Sequence, residues 1–429
     1  MTSGYKNSSQ VDLDNIFSTR VATDPSANAT GYVTSDGLDL ASRYYPLQAG
    51  ITPGAATGFK TIVSGASTDL CNVFATTQVW NTVGTGVVTG TAIYSICAVD
   101  ASNIYVAGIF TNIGGVAATN VAKWNGTAWS SLGFSTSYVN NRPSVSITAI
   151  PGSNVFVSYQ LTDAVTGHVN VCISMYNFSS WTNLIGVNEA LEWGLSSRYV
   201  NDLVLLDTNT LFVCARTFSK TFGLVKYNIS TATWTQLGIG LLTALGLSEW
   251  SVLRPNAMAK ISSTQIIVGG SLPSCIAVFD NTTSTWTQFI ASYSFGEIYS
   301  ISVVSPTVVF VGTITGLHRI NDAGTGWVNT NASSTLSRPD VTSVYAVNST
   351  NVYFAGFFNN PPYVTVAKWN GSSLVSIANG IPDFGEHTVN SIAGTGIRNV
   401  YFGGIFTSVN NVSGGVSVPL TASRIAKWA

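Results

Sequence analysis

Three stretches of this chain set an aromatic ring beside carboxylates. They are VNEALEWGLSSRY (187–199), with Glu192 next to Trp193; IGLLTALGLSEWSVLRP (239–255), with Glu249 next to Trp250; and NGIPDFGEHT (379–388), where Asp383 and Glu386 flank Phe384. An aromatic plate with a neighbouring carboxylate can stack on a sugar ring and accept its hydroxyl hydrogen bonds, or anchor a protein partner. The alternative is that the rings only pack the loops down. Residues suited to catalysis are sparse. His168, His318 and His387 lie in three different repeats, and none is spaced as a metal ligand. No G-x-S-x-G elbow, phosphate-cradling Gly loop or zinc spacing occurs. No catalytic residue, metal or cofactor is therefore expected, and the chain reads as non-enzymatic.

Composition narrows the partners. Only 9% of the 429 residues are charged, against roughly 25% in an average soluble protein, and the formal net charge is -1. A weakly charged surface rich in Ser, Thr, Asn and Gly suits a protein held in an assembly. Without Lys/Arg clusters, nucleic acid is not an expected partner. No apolar run approaches the roughly 18 residues of a membrane span, so no membrane insertion is expected. The N-terminal MTSGYKNSSQ lacks the basic flank and apolar core of a secretory signal. Cys71, Cys97, Cys172, Cys214 and Cys275 are odd in number with no C-x-x-C spacing, which favours buried thiols over a disulfide or metal role. Several Asn-x-Ser/Thr matches, such as Asn125-Gly-Thr and Asn370-Gly-Ser, fall where a hairpin turn wants Asn-Gly.

The elements that must position these loops are short strands. Residues 92–133 read AIYSICAVD, ASNIYVAGIF, NVAKWNG and TAWSSLG, four period-two segments bounded by turn residues. Copies follow to the end of the chain. Trp129, Trp181, Trp234, Trp286 and Trp327 mark the fourth strand in five repeats, and Leu374 takes that place in the sixth. The seventh, ending in SRIAKWA, stops one strand short, while QVWNTVG (78–84) is an orphan fourth strand carrying Trp80. The expectation is an all-β, seven-bladed β-propeller of four-stranded antiparallel blades. It spans 78–429, with residues 78–84 completing the last blade and removing the open edge.

Residues 1–77 form a different repeat, an extended arm of three units. Gly4-Tyr5, Gly31-Tyr32 and Gly58-Phe59 recur every 27 residues, each followed by Asp-Leu-x-x-x-aromatic. The Asp is expected to cap a helical turn that puts Leu13 with Phe17, Leu40 with Tyr44, and Leu70 with Phe74 on one face. Such units carry too little apolar surface to fold alone, so they are read as an anchor on another chain, or else as an arm packed on its own propeller.

The blade wording N-[IV]-Y-[VF]-[AG]-G-x-F (Asn103–Phe110, Asn351–Phe358, Asn399–Phe406), with AKWNG at 122–126 and 367–371, resembles β-propeller repeats of bacterial and giant-virus proteins. It lacks the Gly-His…Trp-Asp pair of Trp-Asp repeats and the double Gly of kelch. Asp39-Leu40…Arg43-Tyr44-Tyr45-Pro46-Leu47 resembles linker repeats of phage tail fibres and large-DNA-virus virion proteins. Asp322-Ala-Gly324-Thr-Gly-Trp327 resembles the sialidase Asp box, a structural turn in that family. The resemblances imply a virion surface or minor capsid, vertex or fibre-associated protein. Its expected partners are other capsid proteins, through residues 1–77, and a host-surface glycan or receptor. The expected location is the outer layer of the virion, with an extracellular or cell-surface location as the alternative. The competing function is a glycan-binding propeller or a carbohydrate-active enzyme, glycosidase or lyase.

Overall fold

Alternating β-branched, aromatic and small residues give each blade four strands, and in blades 1, 2, 3 and 6 an Asn-headed turn joins the third to the fourth. In blade 1 the Asn125 Oδ1 accepts the N–H of Thr127 at 2.9 Å and of Ala128 at 2.7 Å; Asn370 does the same for Ser372 and Ser373 in blade 6. These Asn-x-Ser/Thr matches are thus turn chemistry. The computed structural model describes Gln78 to Ala429 apart from segments 136–144, 163–168, 186–198, 217–222, 242–253, 272–275, 291–295, 321–326, 331–339 and 383–387 and a few single residues or pairs. Before Gln78 it describes the backbone of Phe17–Thr19, Tyr44–Pro46, Lys60–Val63 and Ala66–Asp69.

Six four-stranded antiparallel blades span 87–131, 147–185, 199–236, 254–290, 298–329 and 340–376, the first with an extra two-residue strand, Val116–Ala117. The seventh is built from Val389–Gly394, Val400–Gly404, Ile425–Trp428 and the distant strand Trp80–Thr82. First strands of successive blades touch all the way round, the seventh meeting the first. The fold is a closed seven-bladed β-propeller, as the spacing of the repeats predicts. Its apolar core is divided into seven slabs, each buried between two neighbouring blades. No blade can bury both faces alone, so each depends on both neighbours.

The recurring residues act within each blade and between neighbours. Tyr105, Tyr353 and Tyr401 lie opposite Lys123, Lys368 and Lys427 in the strand ladders, with each ammonium 5.4–5.9 Å from the ring centroid. A Cβ on the motif glycines Gly108, Gly356 and Gly404 would run into the backbone oxygens of Ala92, Asp340 and Thr388. The fourth-strand tryptophans bolt one blade to the one before. Trp129 Nε1 donates to Val83 O at 2.9 Å, Trp181 Nε1 to Leu132 O at 2.8 Å and Trp286 Nε1 to Leu237 O at 3.1 Å. Each acceptor stands three residues after the preceding blade's Trp. Trp181→Phe keeps the ring but loses the donor, and should lower unfolding free energy by about 1–2 kcal/mol in urea titration.

Closure is a strand pairing. Trp80, Asn81 and Thr82 face Trp428, Lys427 and Ala426, and Val79 and Ala429 exchange N–H···O bonds of 2.9 and 3.1 Å. The Trp80 ring is 2% exposed, edge-on to Phe402 at 4.9 Å and Trp428 at 5.2 Å. Residues 408–421, between the second and third strands of blade 7, form a hairpin (Ser408–Ser413 with Val416–Thr421) absent from the expected repeat. Its Asn411 amide takes the outer edge of the closing strand: Trp80 N donates to Oδ1 at 2.7 Å, and Nδ2 donates to Trp80 O at 3.0 Å. One side chain thus stands in for the peptide group of a fifth strand. Asn411→Ala leaves both Trp80 backbone groups without these bonds, and should cost about 2–3 kcal/mol by the same titration. Asn411→Asp, which cannot donate, should recover only part of that loss.

The N-terminal unit, 1–78 by its contacts, corrects one expectation. Phe17–Thr19 pairs antiparallel with Tyr44–Pro46, Thr19 facing Tyr44 and Phe17 facing Pro46. Asp69 ends the strand Ala66–Asp69, which pairs with Lys60–Val63. The backbone at Phe17 and Tyr44 is therefore extended, which takes these two aromatics out of the expected helical turn, whereas an extended Asp69 is compatible with an N-cap. Aromatic and β-branched residues (Phe-Ser-Thr, Tyr-Tyr-Pro) suit strands, and that propensity prevails over the single Asp cap. Leu13, Leu40, Leu70 and Phe74 lie outside the described residues.

Candidate functional site

The seven inner strands surround an axial bore, and the same triplet recurs in each. It reads Tyr94-Ser95-Ile96, Val145-Ser146-Ile147, Asn201-Asp202-Leu203, Asn256-Ala257-Met258, Tyr299-Ser300-Ile301, Thr342-Ser343-Val344 and Asn390-Ser391-Ile392. In six blades the ladder skips the triplet's first residue, a β-bulge that releases it from pairing. The bulged residues and the middle residues line a cavity of about 160 Å3.

The middle residues close a ring of side-chain bonds. Ser95 Oγ accepts Ile147 N at 3.1 Å, Ser146 Oγ accepts Leu203 N at 3.2 Å, and Asp202 Oδ2 accepts Met258 N at 2.9 Å. Ser300, Ser343 and Ser391 accept Val344 N, Ile392 N and Ile96 N at 3.0, 2.9 and 3.1 Å. Each oxygen satisfies an inner-edge N–H of the next blade, and the last bond joins blade 7 to blade 1. Only Ala257 has no oxygen to offer; there Asn256 Nδ2 bonds forward to Ile298 O at 3.1 Å instead. Inner strands would otherwise present bare edges to the bore, so the ring is structural.

Asp202 is the ring's one ionisable member. Burial pushes its carboxyl up to about 7, against the opposing pull of the N–H groups of Met258 and Leu203 and the Ser146 hydroxyl. Three buried thiols and His318 are packed away from any reactive role. Burial raises the Cys97 thiol to about 11, Cys172 to about 12 and Cys214 well above its usual value. Burial lowers His318 to about 4, so its ring is neutral, with Nε2 3.1 Å from Thr315 Oγ1. Among the described residues no three His, Cys, Asp or Glu side chains are grouped to hold a metal. No described helix is long and apolar enough to cross a membrane.

Glu192, Trp193, Glu249, Trp250, Asp383, Phe384 and Glu386 all lie outside the described residues, as do His168, His387 and the Asp322–Gly326 turn. The strands that bound their segments are described. Each segment runs from the outer strand of one blade to the inner strand of the next: Trp181–Ile185 to Tyr199–Leu205, Thr233–Gln236 to Arg254–Lys260, and Leu374–Ser376 to Val389–Gly394. In the antiparallel blades, the described outer strands end and the next inner strands begin on the side that also carries the second-to-third-strand turns. The bulged ring was not among the sequence candidates. Its signal is the Ser at one offset in five of seven inner strands.

No protein-family model matches the chain, and no curated protein matches it. Its likeness is to solved structures. YCF48 bound to D1 peptide superposes with a TM-score of 0.50 at 8% identity, covering 80% of this chain and 95% of that one. U3-55K gives 0.48 at 12% identity, covering 79% and 95%, and the WD40 β-propeller domain of Doa1 gives 0.46 at 10%, covering 79% and 92%. At such identities the likeness is one of fold.

Proposed function

We propose that this chain is a non-enzymatic interaction protein of a virion surface, a minor capsid, vertex or fibre-associated component. Residues 1–77 attach it to other capsid proteins, and the propeller contacts proteins or a host receptor. The observation that carries the reading is the division of labour within the propeller. The fourth-strand Trp N–H groups and the middle residues of the inner strands are taken up by bonds between blades, which leaves the rim of inter-blade connections, with its aromatic and acidic residues, for partners. The peptide held by YCF48, a protein of the same fold, is a precedent for that use. Support for the virion setting comes from the N-terminal repeats, which resemble those of phage tail fibres and large-DNA-virus virion proteins, from the low charge, and from blades that resemble bacterial and giant-virus propeller repeats.

Replacing both Trp193 and Trp250 by Ala in the full chain should weaken binding to purified capsid proteins or receptor at least tenfold, with the melting temperature unchanged. Biolayer interferometry and thermal melts read the two effects. Cleavage of a polysaccharide panel that is lost in Glu192→Gln or Glu249→Gln would overturn the reading in favour of a carbohydrate-active enzyme.

A further inference from the structure

We propose that the bore of the propeller is a recognition site for an alkylammonium or alkylguanidinium head group. The bulged layer places Tyr94, Asn201, Asn256, Tyr299 and Asn390 around the cavity of about 160 Å3, room for such a head group and a few waters of about 30 Å3 each. Hydrogen-bond direction at this layer is fixed by chemistry. Asn201 Nδ2 donates to Pro255 O at 2.8 Å, Asn256 Nδ2 to Ile298 O at 3.1 Å and Asn390 Nδ2 to Ile93 O at 3.0 Å. A backbone carbonyl only accepts, so each amide nitrogen must face the neighbouring blade. The amide oxygens of Asn201 and Asn390 are left without a protein donor among the described residues.

Charge and shape point the same way. Asn256 Nδ2 also donates to Glu297 Oε1 at 2.7 Å, which holds a carboxylate beside this layer. No lysine or arginine lines the cavity. Tyr94 and Tyr299 also border it. Hydroxyls can turn either way, but the fixed groups are acceptors. Such a lining favours a donor-rich cation over an anion or a neutral acceptor. The inference does not depend on the virion reading, because the head group can belong to a free amine or to a partner's Lys or Arg side chain.

The test uses the full chain, titrated calorimetrically with ethylguanidinium and with its neutral isostere ethylurea up to about 20 mM. Ethylguanidinium should bind one site at least tenfold more tightly than ethylurea. Glu297→Gln keeps the acceptor for Asn256 and should weaken binding at least fivefold; Tyr299→Trp fills the bore and should abolish it, with thermal melts confirming the fold of each. Comparing agmatine with acetyl-Gly-Arg-Gly-amide then assigns the source: tighter agmatine means a free amine, tighter peptide a partner's side chain. No binding of ethylguanidinium, equal binding of ethylurea, or binding untouched by Tyr299→Trp overturns the proposal.

Discussion

A chain beginning at residue 86 is expected to be at least about 5 kcal/mol less stable than one beginning at residue 78. The longer chain keeps every closing contact described: the pairing of Trp80–Thr82 with Ile425–Trp428, the Val79–Ala429 bonds and the Asn411 amide on Trp80. The shorter one loses the fully buried Trp80 side chain, itself worth about 3–5 kcal/mol when truncated. It also exposes the backbone edge of Ile425–Trp428 and removes Val83 O, the acceptor for Trp129 Nε1. An open edge pairs readily with another chain, so the shorter protein should also aggregate. Urea unfolding of the two truncations reads the difference. Equal stabilities would mean that the ring closes without its N-terminal strand.

The second large effect is a pH dependence set by Asp202. Its carboxyl sits near 7 in the folded chain and about 4 when unfolded, so folding favours the neutral acid. The sign follows from linkage. Below pH 4 both states are protonated and there is no penalty. The penalty grows as pH rises from 4 to 7 and is constant above that. Three units correspond to about 4 kcal/mol, which the part-open bore reduces to about 2–3 kcal/mol. Asp202→Ser supplies the oxygen used at this ring position in five other blades, and can still accept Met258 N. It should match the wild type at pH 4 and exceed it by about 2–3 kcal/mol at pH 8, as read by urea unfolding at both pH values. An unchanged difference between the two would show that Asp202 titrates normally in the fold.

The blades were legible because alternation, Asn-Gly turns and one Trp per repeat are local signals. Trp80 and the final AKWA lie some 350 residues apart in the sequence, yet a missing fourth strand at one end and a spare one at the other expose the pairing. The hairpin at 408–421 escaped notice because Ser-Val-Asn-Asn-Val-Ser alternates too weakly to separate from a loop, and Asn411 meets its partner only in the closed ring. The serine ring was hidden for a related reason. The bulge inserts one residue and interrupts the alternation, and each Ser bonds to the next blade rather than its own. In the arm, Asp-Leu-x-x-x-aromatic fits a helical turn as well as a strand entry; the pairing of Phe17–Thr19 with Tyr44–Pro46 decides it for the strand at the aromatics of the first two units.

The proposed virion role is tested most directly by the protein content of purified particles of the candidate source virus. They would be prepared with either the full chain or one lacking residues 1–77, washed at high salt and quantified by mass spectrometry. The account predicts that the full chain stays with intact particles, and that the truncated chain, still folded as a closed propeller, is retained at least tenfold less. Absence of the full chain from washed particles, or equal retention of the two, would contradict it.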